Sequence, residues 1–512
     1  MADYDFGITL EGFSDGLSAL AHIDNKTFTG SKGQASSMQA DIISDPNFIR
    51  QSPALSNLTN GDQDGAVDEL IRFILDKPVE SNLTFALGAT KLFRLTSDVV
   101  DVGDRLSSAS PSISPSASPS SSPSVSISPS ISPSVSPSTI PTWPQTVTNM
   151  ADGESLIRLK ANLYGFYNRS DGKGDIFKMP LNTESIDATW ASDIDTFLED
   201  APHPSAAKED IMVFGNGRYV GAYIQGLSTL DTQKLDFGEG AEVADIIFNA
   251  NVWYIAVNYG EGRRGQIYLY DGSAISNVLS DEAGLGSQKI GFLFVQNGIV
   301  YVAYQDNSSG AFAIGWMSGR QLKPFKYFAG SLPNHRQKTL YRNTLLFVSD
   351  DSIFSCGAPV EQLNIQISKL ADAGYATVGG LAAPFGTPMV ASGDGDNYRL
   401  AKFSGLSTDS NWKSILLDIT DGRKLGKVTC VIVSTKTLSA NARADLTLEG
   451  NQGSVTSSAF NISGTDETRH VFKSIDLKAC EDVRVVIDSK NGDSTNACPI
   501  RKIELLGNFV ER

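Results

Sequence analysis

A chain of 512 residues exceeds one ordinary domain, and a hydrophobic content of 41% is enough to build packed cores. The formal net charge of −16 and a pI near 4.8 exclude a nucleic-acid grip, which needs clustered Lys and Arg, because the densest such pair is Arg263-Arg264. No stretch approaches the ~18 apolar residues of a membrane span, and the opening MADYDFGITLEG lacks the basic-then-apolar order of a signal peptide, so a cytoplasmic protein is expected.

Residues 1–60 are rich in Gly, Ser, Asn and Asp, with scattered apolar anchors at Phe6, Ile8, Leu10, Phe13, Leu17, Ile42, Ile43, Phe48 and Ile49. Such spacing predicts an extended arm that packs along its own fold or along a neighbouring copy. Asn60, Asp62, Asp64 and Asp68, with Gly65 between them, resemble the start of an EF-hand calcium loop. The twelfth position, where a bidentate Glu belongs, is Ile71, so a polar turn and helix cap is the competing reading. In DGAVDELIRFILDKP, Val67, Leu70, Ile71, Ile74 and Leu75 fall on one face of a helix, Asp64 caps it and Pro78 ends it.

The segment NLTFALGATKLFRLTSD (82–98) reads as one β-hairpin turning at Gly88-Ala89-Thr90. From Ser107 to Pro144 a Ser-Pro-Ser-x repeat removes amide donors and offers nothing to bury, which predicts a polyproline-type or disordered tether. One hairpin precedes this tether and the remaining strand clusters follow it, so it is expected as an insertion and not as a boundary between domains.

Between 243 and 318 one pattern is written twice: apolar run, Asn turn, apolar run, Gly-rich turn, apolar run. Asn251, Asn297 and Asn343 repeat at an offset of 46 residues. The runs are apolar at nearly every position, so both faces of each small sheet should be covered. A period of this length carrying up to four strands is the signature of a β-propeller. Counting the 82–98 hairpin, the candidates at 156–180, 211–237, 243–272, 289–318, 338–356 and 375–403 give about seven blades. From Trp412 onward the strands are longer and alternate, which suits a C-terminal β-sandwich. The expected organisation is an all-β chain: arm and short helix at 1–81, first hairpin at 82–106, tether at 107–145, propeller at 146–409 and sandwich at 410–512.

The four cysteines lie far apart with no CxxC pair and read as free thiols. His22, His203, His335 and His470 have no Ser, Asp or Cys company that spacing supports, and G-x-S-x-G, H-E-x-x-H and P-loop motifs are absent. The expectation is a non-enzyme with no cofactor.

The order of parts resembles the β-propeller virion proteins of tailed bacteriophages, including the tail nozzle type. It rests on the irregular arm IDNKTFTGSKGQASSMQADIISDPNFIRQSPAL, the short helix, hairpins such as LLFVSDDSIFSCG and the ending PIRKIELLGNFVE. This resemblance implies a structural role in the tail or at the head–tail junction of a virion assembled in the host cytoplasm. It also implies a homo-oligomeric ring with adjoining tail or portal proteins around the DNA path. The alternative is a propeller binding module or adsorption protein that recognises carbohydrate or a cell-surface partner.

Overall fold

The computed structural model describes residues 4–11, 22–23, 35–41, 50–51, 53–60, 67–97, 99–101, 142–190, 198–260, 265–277, 289–305, 311–318, 321–328, 330–342, 344–357, 366–373, 375–395, 397–406, 410–414, 416–421, 423–438, 440–464, 468–489 and 498–511. The chain is all-β, and among these residues helical structure is confined to two 3-10 turns, Gln225–Leu227 and Asn451–Gly453. No helix among them is long and apolar enough to cross a membrane.

A run of small antiparallel sheets follows the chain. Sheet A contains Phe73–Ile74, Thr84–Leu87, Lys91–Leu95 and Val99–Asp101. Sheet B is Met150–Leu159, Asn162–Arg169, Lys173–Pro180 and Leu198–Glu199. Sheet C is Ser205–Lys208, Ile211–Asn216, Tyr219–Ile224 and Thr229–Asp236. Sheet D is Ala241–Asn249, Val252–Tyr259, Gln266–Tyr270 and Ile275–Asn277. Sheet E is Lys289–Gln296, Ile299–Gln305, Phe312–Ser318 and Gln321–Phe328. Sheet F is Lys338–Tyr341, Thr344–Ser349, Ser352–Gly357 and Gln366–Asp372. Sheet G is Thr377–Ala382, Met389–Asp394 and Asn397–Leu406, with Pro53–Asn57 from the N-terminal segment as its last strand.

Each apolar core is shared by two consecutive sheets, because strands this apolar must cover both faces. Phe166 of B meets Phe214 of C, and Phe347 of F lies among Phe292, Phe312 and Phe328 of E. The core between G and A joins Ala382, Met389 and Leu400 to Ile71, Ile74, Phe93 and Leu95, which closes the ring as a β-propeller.

The repeat is paced by the turn after the first strand. That turn has two residues, and its first residue is left-handed in sheets B to F: Lys160, Glu209, Ala250, Asn297 and Arg342, with φ of 52°, 53°, 48°, 49° and 48°. These lie 49, 41, 47 and 45 residues apart. The exact 46-residue offset of Asn251 and Asn297 therefore joins unlike places, the second residue of one turn and the first of the next. The irregular spacing around Asn216 has the same origin, since Asn216 precedes the turn between the second and third strands of C.

The predicted helix does not form. Residues 67–78 run extended: Arg72 N donates to Leu87 O, Leu75 N to Phe85 O, and Ile71 O accepts from Gly380 N. Val67, Leu70, Ile71 and Ile74 pack toward sheet G and Leu75 toward sheet B, so a helical spacing is satisfied by burial on two sides of a ribbon. Tertiary packing overrides local propensity here. Gly379 permits the close approach, since a Cβ on it would lie 2.0 Å from Ile71 O.

The N-terminal segment is stitched into its own chain. Phe6–Glu11 pairs antiparallel with Ile500–Glu511, and Phe6 and Ile8 pack on the core of the C-terminal sheets. Phe13, Phe48 and Ile49 lie outside the described residues, as do residues 102–141, most of the Ser/Pro segment. Trp143, placed by sequence within the tether, is buried against Phe85, and Gln145–Thr146 pairs with Lys91–Leu95.

After Ser410, two sheets enclose one core around Trp412, Val431, Leu446, Val485 and Ile503. One is the order Phe6–Glu11, Ile500–Glu511, Lys424–Thr435, Arg469–Lys473; the other contains Asn411–Ser414, Asp482–Ser489 and Ala444–Gly450. Ala35–Asp41 pairs with both Asn411–Ser414 and the last strand of F, so hydrogen bonding runs unbroken from propeller to sandwich.

Candidate functional site

The first strands of B, D and E each carry a β-bulge, with Glu154, Ala244 and Gly291 as the extra residue. Each lies six residues before the left-handed turn residue of its sheet. The same step back from Glu209 gives His203, and from Arg342 gives Arg336. The repeat thus delivers one set of equivalent positions; three of them carry Glu154, His203 and Arg336, and Asp245 directly follows a fourth.

Asn334–Thr339, the sequence NHRQKT, is the hub of this cluster. It enters over sheet E, where Gly291 has no Cβ to strike Pro333 O, a contact that would fall at 2.1 Å. Asn334 folds it into a turn, accepting from Arg336 N at 3.0 Å, while Gln337 Oε1 accepts from Asn334 N at 3.1 Å. His335 and Arg336 reach one sheet and the side chains that follow reach others. His335 Nε2 donates to Glu154 O (3.2 Å), and Arg336 Nη1 to Gly153 O (3.1 Å) and Glu154 Oε1 (3.3 Å), all in sheet B. Gln337 Nε2 donates to Val378 O of G (3.0 Å). Lys338 Nζ donates to Leu293 O of E (2.6 Å) and pairs with Asp245 of D, whose Oδ2 also accepts from Leu293 N (2.6 Å). Thr339 Oγ1 donates to Asp76 beside sheet A (2.6 Å).

Sheet C joins through His203. Its Nδ1 donates to Gly215 O at 2.9 Å, and its Nε2 lies 3.1 Å from Asn168 Oδ1. Asn168 Nδ2 in turn donates to Ala201 O (3.1 Å) and Glu154 Oε1 (3.4 Å). Asp152 bridges Arg336 (3.5 Å) and Arg72 (3.1 Å), which ties sheet A to B.

Three cations, Arg72, Arg336 and Lys338, face three acids, Asp152, Glu154 and Asp245. Glu154 and Asp245 are only 4% and 2% exposed, so an unmatched charge here would be costly. Burial pushes the Glu154 carboxyl up to about 7; Arg336 opposes this and the charge of Asp152 adds to it. Burial pushes His203 down to about 4 and holds His335 well below the ordinary imidazole range, so both are neutral near pH 7. Burial works against charge on Asp245 and on Lys338, and their mutual contact opposes it. Chemically, Glu154 is an acid whose carboxyl is raised to about 7, but its Oε1 already serves Arg336 and Asn168.

Of the calcium-like positions, only Asn60 and Asp68 are among the described residues. Asp62 and Asp64 lie outside the described residues, and Asn60 sits in a two-residue strand beside Val100. Asp68 pairs with Lys91. Its neighbour Glu69 accepts from Thr90 N (3.0 Å) and Lys91 N (2.8 Å), fixing the hairpin turn. Among the described residues no group of three His, Cys, Asp or Glu is placed to hold a metal.

No protein-family model matches the chain, and no curated protein does. Among solved structures it is similar to the extracellular domain of a putative hybrid two-component system from B. thetaiotaomicron, with TM-score 0.44, 10% identity, and 83% of this chain and 47% of that one covered. The chain thus spans about half the length of that relative. An arabinoxylan arabinofuranohydrolase of glycoside hydrolase family 43 from Bacillus subtilis gives TM-score 0.26 and 9% identity over 70% of this chain and 78% of that one. An exo-β-1,3-galactanase from Phanerochaete chrysosporium gives 0.28 and 8% over 89% and 100%. These are distant likenesses of overall form, and none of the three is described as a virion protein.

Sequence reasoning set aside His203 and His335 and passed over Arg336, Lys338, Glu154 and Asp245. Two signals were present. Asp245 is an acid inside an apolar run, and NHRQK places two cations at the entry to a strand.

Proposed function

We propose that the chain is a non-enzymatic structural protein of a tailed-phage virion, with sheets A to G as the seven blades of its propeller. In this reading it works as a homo-oligomer with adjoining tail or portal proteins around the DNA path, and its acidic charge keeps DNA from adhering to the wall. The observation that carries the non-enzymatic part is the closed hub. Where a propeller offers its axis to a ligand, this one fills the place with its own ion-paired side chains. The virion assignment rests on the resemblance in the order of parts.

A second reading, a carbohydrate-recognising adsorption module, draws on Glu154, a buried carboxyl that titrates near neutrality beside Asp152. One set of measurements separates the two. The purified chain is imaged by cryo-EM with the adjoining tail proteins, and assayed against a panel of glycosides and esters. Rings without turnover are expected. A chain that stays monomeric and is missing from particles overturns the virion reading, and glycoside turnover abolished by Glu154→Gln moves the assignment to the second.

A further inference from the structure

The cores between neighbouring sheets are built from the same few residue types, and apolar burial has no direction. A ring of similar sheets could therefore close wrongly at little apolar cost. It could skip a sheet, or take the strand at 53–57 from another copy, because that strand comes from the far end of the chain. The hub behaves differently. Its side chains reach B through Arg336, G through Gln337, D and E through Lys338, and A through Thr339, and each contact needs one donor facing one acceptor. In a wrongly closed ring the apolar faces still find partners, but Asp245 or Glu154 is left buried without its cation.

We propose that Asn334–Thr339 is an address segment that selects the correct closure of the propeller and contributes specificity more than net stability. This assignment concerns how the ring forms and is independent of what the assembled protein is used for.

The test removes one matched pair without leaving an uncompensated charge. In the full chain, Glu154→Leu with Arg336→Met deletes one anion and one cation, and Asp152 keeps Arg72. Variant and unaltered chain are unfolded in denaturant, diluted and analysed by native mass spectrometry and hydrogen exchange at residues 53–57. The expected result is an unfolding midpoint close to that of the unaltered chain with a several-fold rise in misclosed or strand-swapped species. Swapped chains stay associated on extensive dilution, unlike subunits joined only by their surfaces. A variant that refolds in equal yield to one species with native exchange overturns the proposal. So does a variant that gives one species with a large loss of stability, since that makes the hub a plain stabilising element. Reversing the pair, Glu154→Arg with Arg336→Glu, adds a second check: it should lower the misclosed fraction below that of either single reversal, and failure to do so counts against the address.

Discussion

The interfaces between sheets are fully buried and the axis hub largely so, and they hold the propeller by different rules. At an interface, Phe347 of F meets Phe328 and Phe312 of E at 5.3 and 6.1 Å, and a side chain of similar volume would serve there. At the axis, volume is secondary and the partner is decisive. Lys338 of F exists for Asp245 of D, two sheets away. Apolar layers make the ring cohere, and the polar hub makes its members distinguishable.

The largest effects should break that comparison open. Lys338→Met keeps the shape but strands the Asp245 carboxylate, and should cost about 3–5 kcal/mol in chemical denaturation. Adding Asp245→Leu should recover most of it. Phe347→Ala should cost a similar ~3–5 kcal/mol through its cavity, whereas Leu346→Met at the F–G interface should cost under about 1.5 kcal/mol. If Lys338→Met were as mild as Leu346→Met, the distinction between the two regions would fail.

The pH dependence sharpens it next. A carboxyl whose pKa is higher folded than unfolded draws a proton into the folded state. Glu154 therefore does no harm below pH 4.5 and destabilises progressively as pH rises to about 7. Glu154→Gln should match the unaltered chain near pH 4.5 and exceed its stability above pH 7 by up to about 3 kcal/mol. His203 has the opposite sign: depressed from 6.5 to about 4, it destabilises as pH falls through that window. His203→Gln should differ from the unaltered chain by a term that grows in acid. Melting temperatures at pH 4.5, 6.5 and 8 check both, and a pH-independent gap for Glu154→Gln would refute the linkage. Gly291→Ala should act through position alone, costing about 1–3 kcal/mol as the new Cβ displaces Pro333.

Much of the ring was legible in the sequence and little of the hub. The predominantly apolar strands 289–296, 299–305 and 344–349 announced sheets covered on both faces, which is a local property of composition. The stretch 67–75 misled because its spacing satisfies a helix equally well, and only the presence of sheets G and B on its two sides decides against it. The turns hid the pace of the repeat, because Lys160, Glu209, Ala250 and Arg342 adopt left-handed geometry without the Asn-Gly signal that marks Asn297. The hub was invisible for a deeper reason. Glu154 and Arg336 lie 182 residues apart, and their meeting is a consequence of ring closure that no local pattern encodes.

The smallest effect concerns the Ser/Pro segment, and the sheet A register says why. Val100 and Asp101 pair with Leu95 and Arg94, and Gln145 and Thr146 continue along the same strand opposite Leu92 and Lys91. The other edge of Lys91–Leu95 is taken by Thr84–Leu87. Residues 102–144 therefore interrupt a single line of pairing along one edge of Lys91–Leu95, across from Phe93, with Trp143 plugging the core at the return point. Because the two ends lie almost side by side, the segment between them spans no distance that the fold needs. Deleting 107–140 while keeping Trp143 should leave the cores intact, and each halving of the loop should recover about 0.6 kcal/mol of closure entropy. The net expectation is a gain of up to about 1 kcal/mol, with limited proteolysis of the unaltered chain cutting first between 107 and 140. A melting temperature that falls on deletion would show that the segment packs on the propeller, and would turn an insertion into a structural strand of its own.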